Sequence, residues 1–153
     1  MLELDGVGVL FLGPSGAGKS TAARLAEAGR CFAYDHVAVF ATADGPVVWG
    51  LPGGTAAAAP RSTRAHFPLR MALRVRQGTA APAVMFHDGT EALFALRESV
   101  ESAESSRDGE EARLAAVMRL SERFQLGAVT TVLERSLTPV LRDALQRSVR
   151  GTQ

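Results

Sequence analysis

The fold is decided by one stretch, residues 7–21, which reads Val7-Gly8-Val9-Leu10-Phe11-Leu12-Gly13-Pro14-Ser15-Gly16-Ala17-Gly18-Lys19-Ser20-Thr21. Residues 13–20 match the pattern G-x-x-x-x-G-K-S/T in full. This pattern is typical of a loop whose backbone N–H groups surround phosphate, with a lysine for the β and γ phosphates and a hydroxyl for Mg²⁺. We therefore predict that the loop binds a nucleotide through Gly13, Pro14, Ser15, Gly16, Ala17, Gly18, Lys19, Ser20 and Thr21.

The flanking residues provide the structural context that such a loop requires. Before it, residues 7–12 form a nearly continuous apolar run, as expected of a strand that is buried on both faces. After it, residues 21–28 are mostly good helix formers, and Gly29 is a suitable end for the helix. The sequence thus predicts a strand, a phosphate loop and a helix in succession.

Length and composition limit the remaining possibilities. A chain of 153 residues predicts a single domain over 1–153, and a net charge of +1 argues against a nucleic-acid-binding surface. No apolar run reaches the roughly 18 residues of a membrane helix, and the N-terminus does not resemble a signal peptide, so we expect a cytoplasmic protein without membrane contact. The single cysteine, Cys31, cannot form an internal disulfide and is expected to be buried.

The apolar pattern predicts further strands and helices. Strands are predicted at 2–4, 31–34, 37–42, 47–49, 69–76, 83–86 and 129–133. Helices are predicted at 90–103, 110–124 and 139–149, the last one capped by Thr138. The expected fold is one α/β domain with a mixed sheet, in which the phosphate loop joins the first long strand to the first helix and helices pack on the sheet.

The segment 50–66 has no periodicity and is rich in glycine, proline and alanine, so we predict a long functional loop. Within it, Arg61 and Arg64 could bind the transferring phosphate or an acidic substrate. The strand that follows alternates apolar and polar residues, which predicts one buried face and a solvated face with Arg70, Arg74 and Arg76.

Asp35 is the leading candidate for the acidic group of the site. It ends the apolar run 31–34, and ligands of α/β sheets lie at the carboxyl ends of strands. A carboxylate there can ligate Mg²⁺ or accept the proton of an attacking hydroxyl, although Asp35 could instead cap a turn. Asp88 also follows an apolar run and is a rival for the metal, but Asp88-Gly89-Thr90 leads into a helix and favours a capping role.

With these residues in place, the chain resembles the HPr kinase/phosphorylase family, whose catalytic domain is similar to the nucleotide-binding part of phosphoenolpyruvate carboxykinase. The resemblance rests on residues 13–21, the short Ala/Leu helix, Gly29 and the apolar strand that ends at Asp35. A weaker likeness continues through Leu51-Pro52-Gly53-Gly54-Thr55 and Phe67-Pro68-Leu69-Arg70. The small, stand-alone members of the family are the most similar.

The resemblance implies ATP and Mg²⁺ as cofactors and transfer of the γ phosphate to a serine hydroxyl. It implies a substrate-facing loop that corresponds to residues 50–66 and so contains Gly53, Gly54, Thr55, Arg61 and Arg64. In the kinase expected here, Ser20 and Asp35 hold Mg²⁺. Where the family usually has two adjacent aspartates, this chain has Tyr34-Asp35-His36. The general base is then Asp35 or His36, or the protein binds nucleotide without transferring phosphate.

The function expected from the sequence is an ATP-dependent kinase in which Lys19, Asp35 and His36 serve catalysis. Its acceptor would be a serine or threonine hydroxyl of a peptide or small protein. A catalytically weakened nucleotide-binding regulatory or scaffold module and a small-molecule kinase are the alternatives. The choice between ATP and GTP stays open, as does assembly into a homo-oligomer, which the family often forms.

Overall fold

The computed structural model describes residues 1–31, 37–50, 66–87, 89–99 and 107–150. Within these residues the strands are β1 (Leu2–Leu4), β2 (Val7–Leu12), β3 (Arg30–Cys31), β4 (Val37–Thr42), β5 (Gly45–Gly50), β6 (His66–Gln77), β7 (Ala83–Phe86) and β8 (Gln125–Thr131). The helices are α1 (Lys19–Leu25), α2 (Gly89–Ser99), α3 (Arg107–Ser121) and α4 (Thr138–Arg150). None of the described helices is long and apolar enough to span a membrane.

The strands form a mixed sheet, as the sequence predicts. The main part of the sheet has the order β3-β1-β2-β6-β8-β7. Its three central strands, β2, β6 and β8, are parallel, while β1, β3 and β7 pair with their neighbours in antiparallel fashion. The β4–β5 hairpin joins the sheet by pairing β5 with the first three residues of β6.

Helices cover both faces of this sheet, and β2 shows why its sequence is continuously apolar. Val9 and Phe11 belong to a buried cluster with α1 and α4, whereas Leu10 and Leu12 belong to a second buried cluster with α2 and α3. Because successive side chains of a strand point to opposite faces, a strand with helices on both sides must be apolar at every position. We refer to the two sides as the α1/α4 face and the α2/α3 face.

The sequence-based prediction that β6 buries only one face is wrong. Gly8 of β2 lies opposite Leu69 and Val9 lies opposite Met71, so the register skips Arg70 in a β-bulge. Leu69 consequently belongs to the α2/α3 face and Met71 to the α1/α4 face, although strict alternation would put them on the same side. Ala72 is also fully buried on the α2/α3 face.

The first helix is shorter than the predicted span of 21–28, because tertiary partners bind its end. The Leu25 carbonyl accepts a hydrogen bond of 2.7 Å from the Leu137 N–H, in place of the Gly29 N–H that a longer helix would supply. The Thr138 hydroxyl accepts from the Ala28 N–H at 3.2 Å. Thr138 therefore binds the turn after α1 instead of capping its own helix. At the start of α4, the hydroxyl of Ser136 accepts a hydrogen bond from the Thr138 N–H and so acts as the cap.

The boundary between α3 and β8 also differs from the prediction. Helix α3 begins at Arg107, three residues before the predicted start at 110, and it ends at Ser121, three residues before the predicted end at 124. Strand β8 begins at Gln125, four residues before the predicted 129–133. Gly127 lies in the middle of β8, where a Cβ would collide with the Met85 carbonyl of β7.

Candidate functional site

The glycine-rich loop, residues 13–18, connects the carboxyl end of β2 to the first residue of α1. All three of its glycines have positive φ values, 141° at Gly13, 80° at Gly16 and 91° at Gly18. L side chains rarely adopt this conformation, so the path of the loop depends on glycine at these points. The turn is also tight, because a Cβ on Gly13 would lie only 2.9 Å from the Cβ of Ala17.

Lys19 folds back over the entrance of this loop. Its ammonium nitrogen donates hydrogen bonds of 2.9 Å to the carbonyls of both Gly13 and Pro14. An ammonium group has three donors, so within the described residues one N–H of Lys19 is left to contact an anion. The single lysine of the chain is thus held at the mouth of the loop by two backbone contacts.

Several N–H groups of the loop have no acceptor among the described residues and can bind a ligand. The Ala17 N–H donates to the Pro14 carbonyl and the Ala22 N–H donates to the Gly18 carbonyl. In the described part of the chain, no acceptor binds the N–H groups of Gly16, Gly18, Lys19 or Ser20. Successive unpaired backbone N–H groups form a concave site that favours anions, and phosphate is the common occupant.

The end of β6 forms one wall beside the loop. Leu12, the last residue of β2, pairs with Arg74, and β6 then continues to Gln77. A Cβ built on Gly18 would lie 3.7 Å from Nε2 of Gln77 and 3.7 Å from Cγ1 of Val75. Gln77 is exposed and was not predicted from the sequence as a site residue.

Arg74, opposite Leu12, forms an ion pair of 3.5 Å with Glu98 of α2, which partly neutralises its charge. Two of the three histidines lie away from the loop. His66, at the amino end of β6, stacks on Trp49 with ring centroids 5.2 Å apart. The Nδ1 atom of His87 lies 2.8 Å from a carboxylate oxygen of Glu91. The backbone N–H of His87 donates to the Leu126 carbonyl near the amino end of β8. His66 and His87 therefore lie near the amino ends of the parallel strands, at the end of the sheet opposite the loop.

The remaining predicted site residues lie outside the described residues: Asp35, His36, Gly53, Gly54, Thr55, Arg61, Arg64 and Asp88. Their proposed roles stay predictions. Among the described residues, no three His, Cys, Asp or Glu side chains are grouped so as to hold a metal ion. The Ser20 side chain is exposed and forms no hydrogen bond within the described part, so it can offer an oxygen to Mg²⁺.

No protein-family model matches the chain, and the search of curated proteins finds no similar sequence. The site is therefore interpreted from its own geometry. Free N–H groups, a lysine ammonium and an exposed hydroxyl converge at the carboxyl edge of the parallel strands, where ligands of α/β sheets bind. Chemically, this arrangement can bind a polyphosphate and its divalent cation.

Proposed function

We propose that this protein is an HPr kinase-like phosphotransferase, which binds ATP in residues 13–21 and phosphorylates a serine or threonine hydroxyl of a peptide or small protein. The observation that carries the proposal is the loop itself: left-handed glycines, unpaired N–H groups and Lys19 held across the entrance. This combination supports binding of the β and γ phosphates. The acidic residue required for transfer comes from the sequence, at Asp35.

In the proposed reaction, the acceptor oxygen attacks the γ phosphorus and the bond from that phosphorus to the bridging oxygen of the β phosphate breaks. ADP departs with the bonding electrons, and Asp35 or His36 accepts the hydroxyl proton. Lys19 and the loop N–H groups hold the phosphates and stabilise charge on them. Ser20 and Asp35 would hold Mg²⁺, which supplies further neutralisation of phosphate charge when bound.

A second function is favoured by one observation, the single acid in Tyr34-Asp35-His36. With one carboxylate, the protein could bind nucleotide as a regulatory or scaffold module and transfer no phosphate. Both functions use the loop to bind nucleotide, but only the kinase transfers phosphate. They are distinguished by measuring binding and transfer separately.

The first prediction concerns Lys19→Ala and Asp35→Asn. We expect Lys19→Ala to weaken ATP binding by on the order of tenfold to a hundredfold, because charged hydrogen bonds to phosphate are lost. Both substitutions should abolish transfer, measured by mass spectrometry of serine-containing peptides incubated with the protein, ATP and Mg²⁺. Arg24→Ala, an exposed basic residue in the last turn of α1, is the matched control and should behave like wild type.

Unchanged transfer in either Lys19→Ala or Asp35→Asn would show the kinase proposal to be wrong. Binding that depends on Lys19, without phosphate appearing on any peptide or small molecule, would favour the regulatory module. ATP and GTP should be compared in the same binding assay, since the loop contacts phosphate and not the base.

A further inference from the structure

The strand next to the loop carries a side chain whose position suggests a role in nucleotide recognition. Gln77 lies at the carboxyl end of β6, beyond the point where β2 has ended, and Gln77 pairs with Thr131 of β8. The next residue, Gly78, donates its N–H to the Thr131 carbonyl at 2.9 Å. The backbone that carries Gln77 is therefore fixed by the sheet on the side away from the loop.

The side chain of Gln77 is directed to the loop. Val75 belongs to the buried cluster of the α1/α4 face, and Gln77, two residues later on the same strand, shares that face. The loop crosses to the same face to enter α1, which explains why Gly18 is near both residues. A Cβ built on Gly18 would be in ordinary van der Waals contact with Nε2 of Gln77, so the Gln77 amide lies directly beside the last glycine of the loop.

The amide of Gln77 is exposed and forms no hydrogen bond within the described residues. A primary amide offers two N–H donors, and it stays neutral, so it can bind phosphate oxygen without adding charge. A phosphate bound inside the loop would already be surrounded by N–H groups of the loop. Gln77 lies beside Gly18, outside the loop, so its amide would contact a phosphate that extends past the loop towards the end of β6.

We propose that the Gln77 amide binds the terminal phosphate of the nucleoside triphosphate and so distinguishes the triphosphate from the diphosphate. This inference rests on the proposed function, because it requires nucleotide in the loop. Gln77 is then a specificity-determining residue, which contacts a part of the substrate that the diphosphate lacks.

The test is the affinity of the full chain for ATP and for ADP, each with Mg²⁺, by isothermal titration calorimetry. Gln77→Ala should weaken ATP binding on the order of tenfold, as expected for one hydrogen bond to a charged group, and leave ADP within about twofold. Gln77→Glu keeps the shape but places a carboxylate beside phosphate, so it should weaken ATP binding further. Gln146→Ala, an exposed glutamine on α4, is the matched control and should change neither affinity.

The outcomes separate this inference from the proposed function. If wild type binds ATP, Lys19→Ala weakens binding and Gln77→Ala leaves the ATP-to-ADP ratio unchanged, the role of Gln77 is wrong and the nucleotide site stands. An equal loss for ATP and ADP would likewise overturn it, because that pattern indicates support of the loop without contact to the terminal phosphate. If wild type binds neither nucleotide, both proposals are wrong.

Discussion

At the scale of single residues, a comparison of Gly16 with Gly6 separates the contribution of the loop to nucleotide binding from the cost of backbone strain. Both have left-handed backbones, with φ of 80° at Gly16 and 85° at Gly6, and a Cβ on either would meet no atom within 4 Å. Alanine at either position therefore brings the same conformational penalty and no steric clash. Only Gly16 belongs to the glycine-rich loop, whereas Gly6 lies in the turn between β1 and β2.

We expect Gly16→Ala and Gly6→Ala each to lower the free energy of unfolding by about 1–2 kcal/mol, from the left-handed conformation. Only Gly16→Ala should weaken ATP binding, on the order of tenfold, because a relaxed loop would misplace its N–H donors. Chemical denaturation gives the stabilities and calorimetry gives the affinities. Equal ATP affinities for the two variants would contradict the assignment of the loop as the nucleotide site.

At the scale of elements, α3 illustrates how an apolar pattern can overestimate burial. The sequence suggests a stripe of Leu114, Val117, Met118 and Leu120. In the structure Val117 is fully buried and Leu120 half-buried, while Leu114 is 48% and Met118 50% exposed. The covered part of α3 is thus narrower than the stripe that its sequence indicates.

We therefore expect Val117→Ala to lower the free energy of unfolding by about 2 kcal/mol, from lost burial and the cavity left behind. Leu114→Ala, the control on the same helix, should change it by less than about 0.5 kcal/mol. Urea denaturation measures both. A loss at Leu114 as large as that at Val117 would mean that another surface covers this side of α3 in solution.

At the scale of the whole molecule, an ion pair ties the start of the chain to its last helix. Arg142 donates two hydrogen bonds to Asp5, of 2.8 and 2.9 Å. Asp5 lies in the turn after β1 and Arg142 lies on α4. The hydrogen bond from Arg142, together with its charge, lowers the pKa of Asp5 although partial burial opposes the shift.

The lowered pKa of Asp5 predicts how pH changes the stability of the protein. Because the unfolded state binds this proton more readily, the pair stabilises the fold above the ordinary Asp pKa of about 4, and the stabilisation is lost as pH falls through the lower folded value. Wild type should therefore have a higher melting temperature than Arg142→Gln at pH 7. The difference should shrink as pH falls below the ordinary Asp pKa of about 4, and it should also shrink in high salt.

Asp5→Asn and the double variant complete a mutant cycle, and asparagine tolerates the φ of 52° at this position. Melting temperatures across the pH range measure the coupling between the two side chains. A coupling that does not change with pH would contradict the ion-pair origin of the effect.

The sequence by itself determined the strand, the loop with its lysine and the mixed α/β class, because each depends on local patterns: a continuous apolar run, spaced glycines and alternating elements. It could not locate the bulge at Arg70, which inverts the face of Leu69 relative to Met71. The sequence also did not predict the early end of α1. That end depends on hydrogen bonds with Leu137 and Thr138, which lie more than 100 residues further along the chain.

The position of Gln77 beside Gly18 was decided by tertiary structure alone. It depends on β6 pairing in parallel with β2 and extending beyond it, and strand pairing over such a sequence distance has no local signal. The spacing of residues 13–20 thus predicts phosphate binding from the sequence alone. The position of Gln77, which we propose to bind the terminal phosphate, follows only from the pairing of the strands in the tertiary structure.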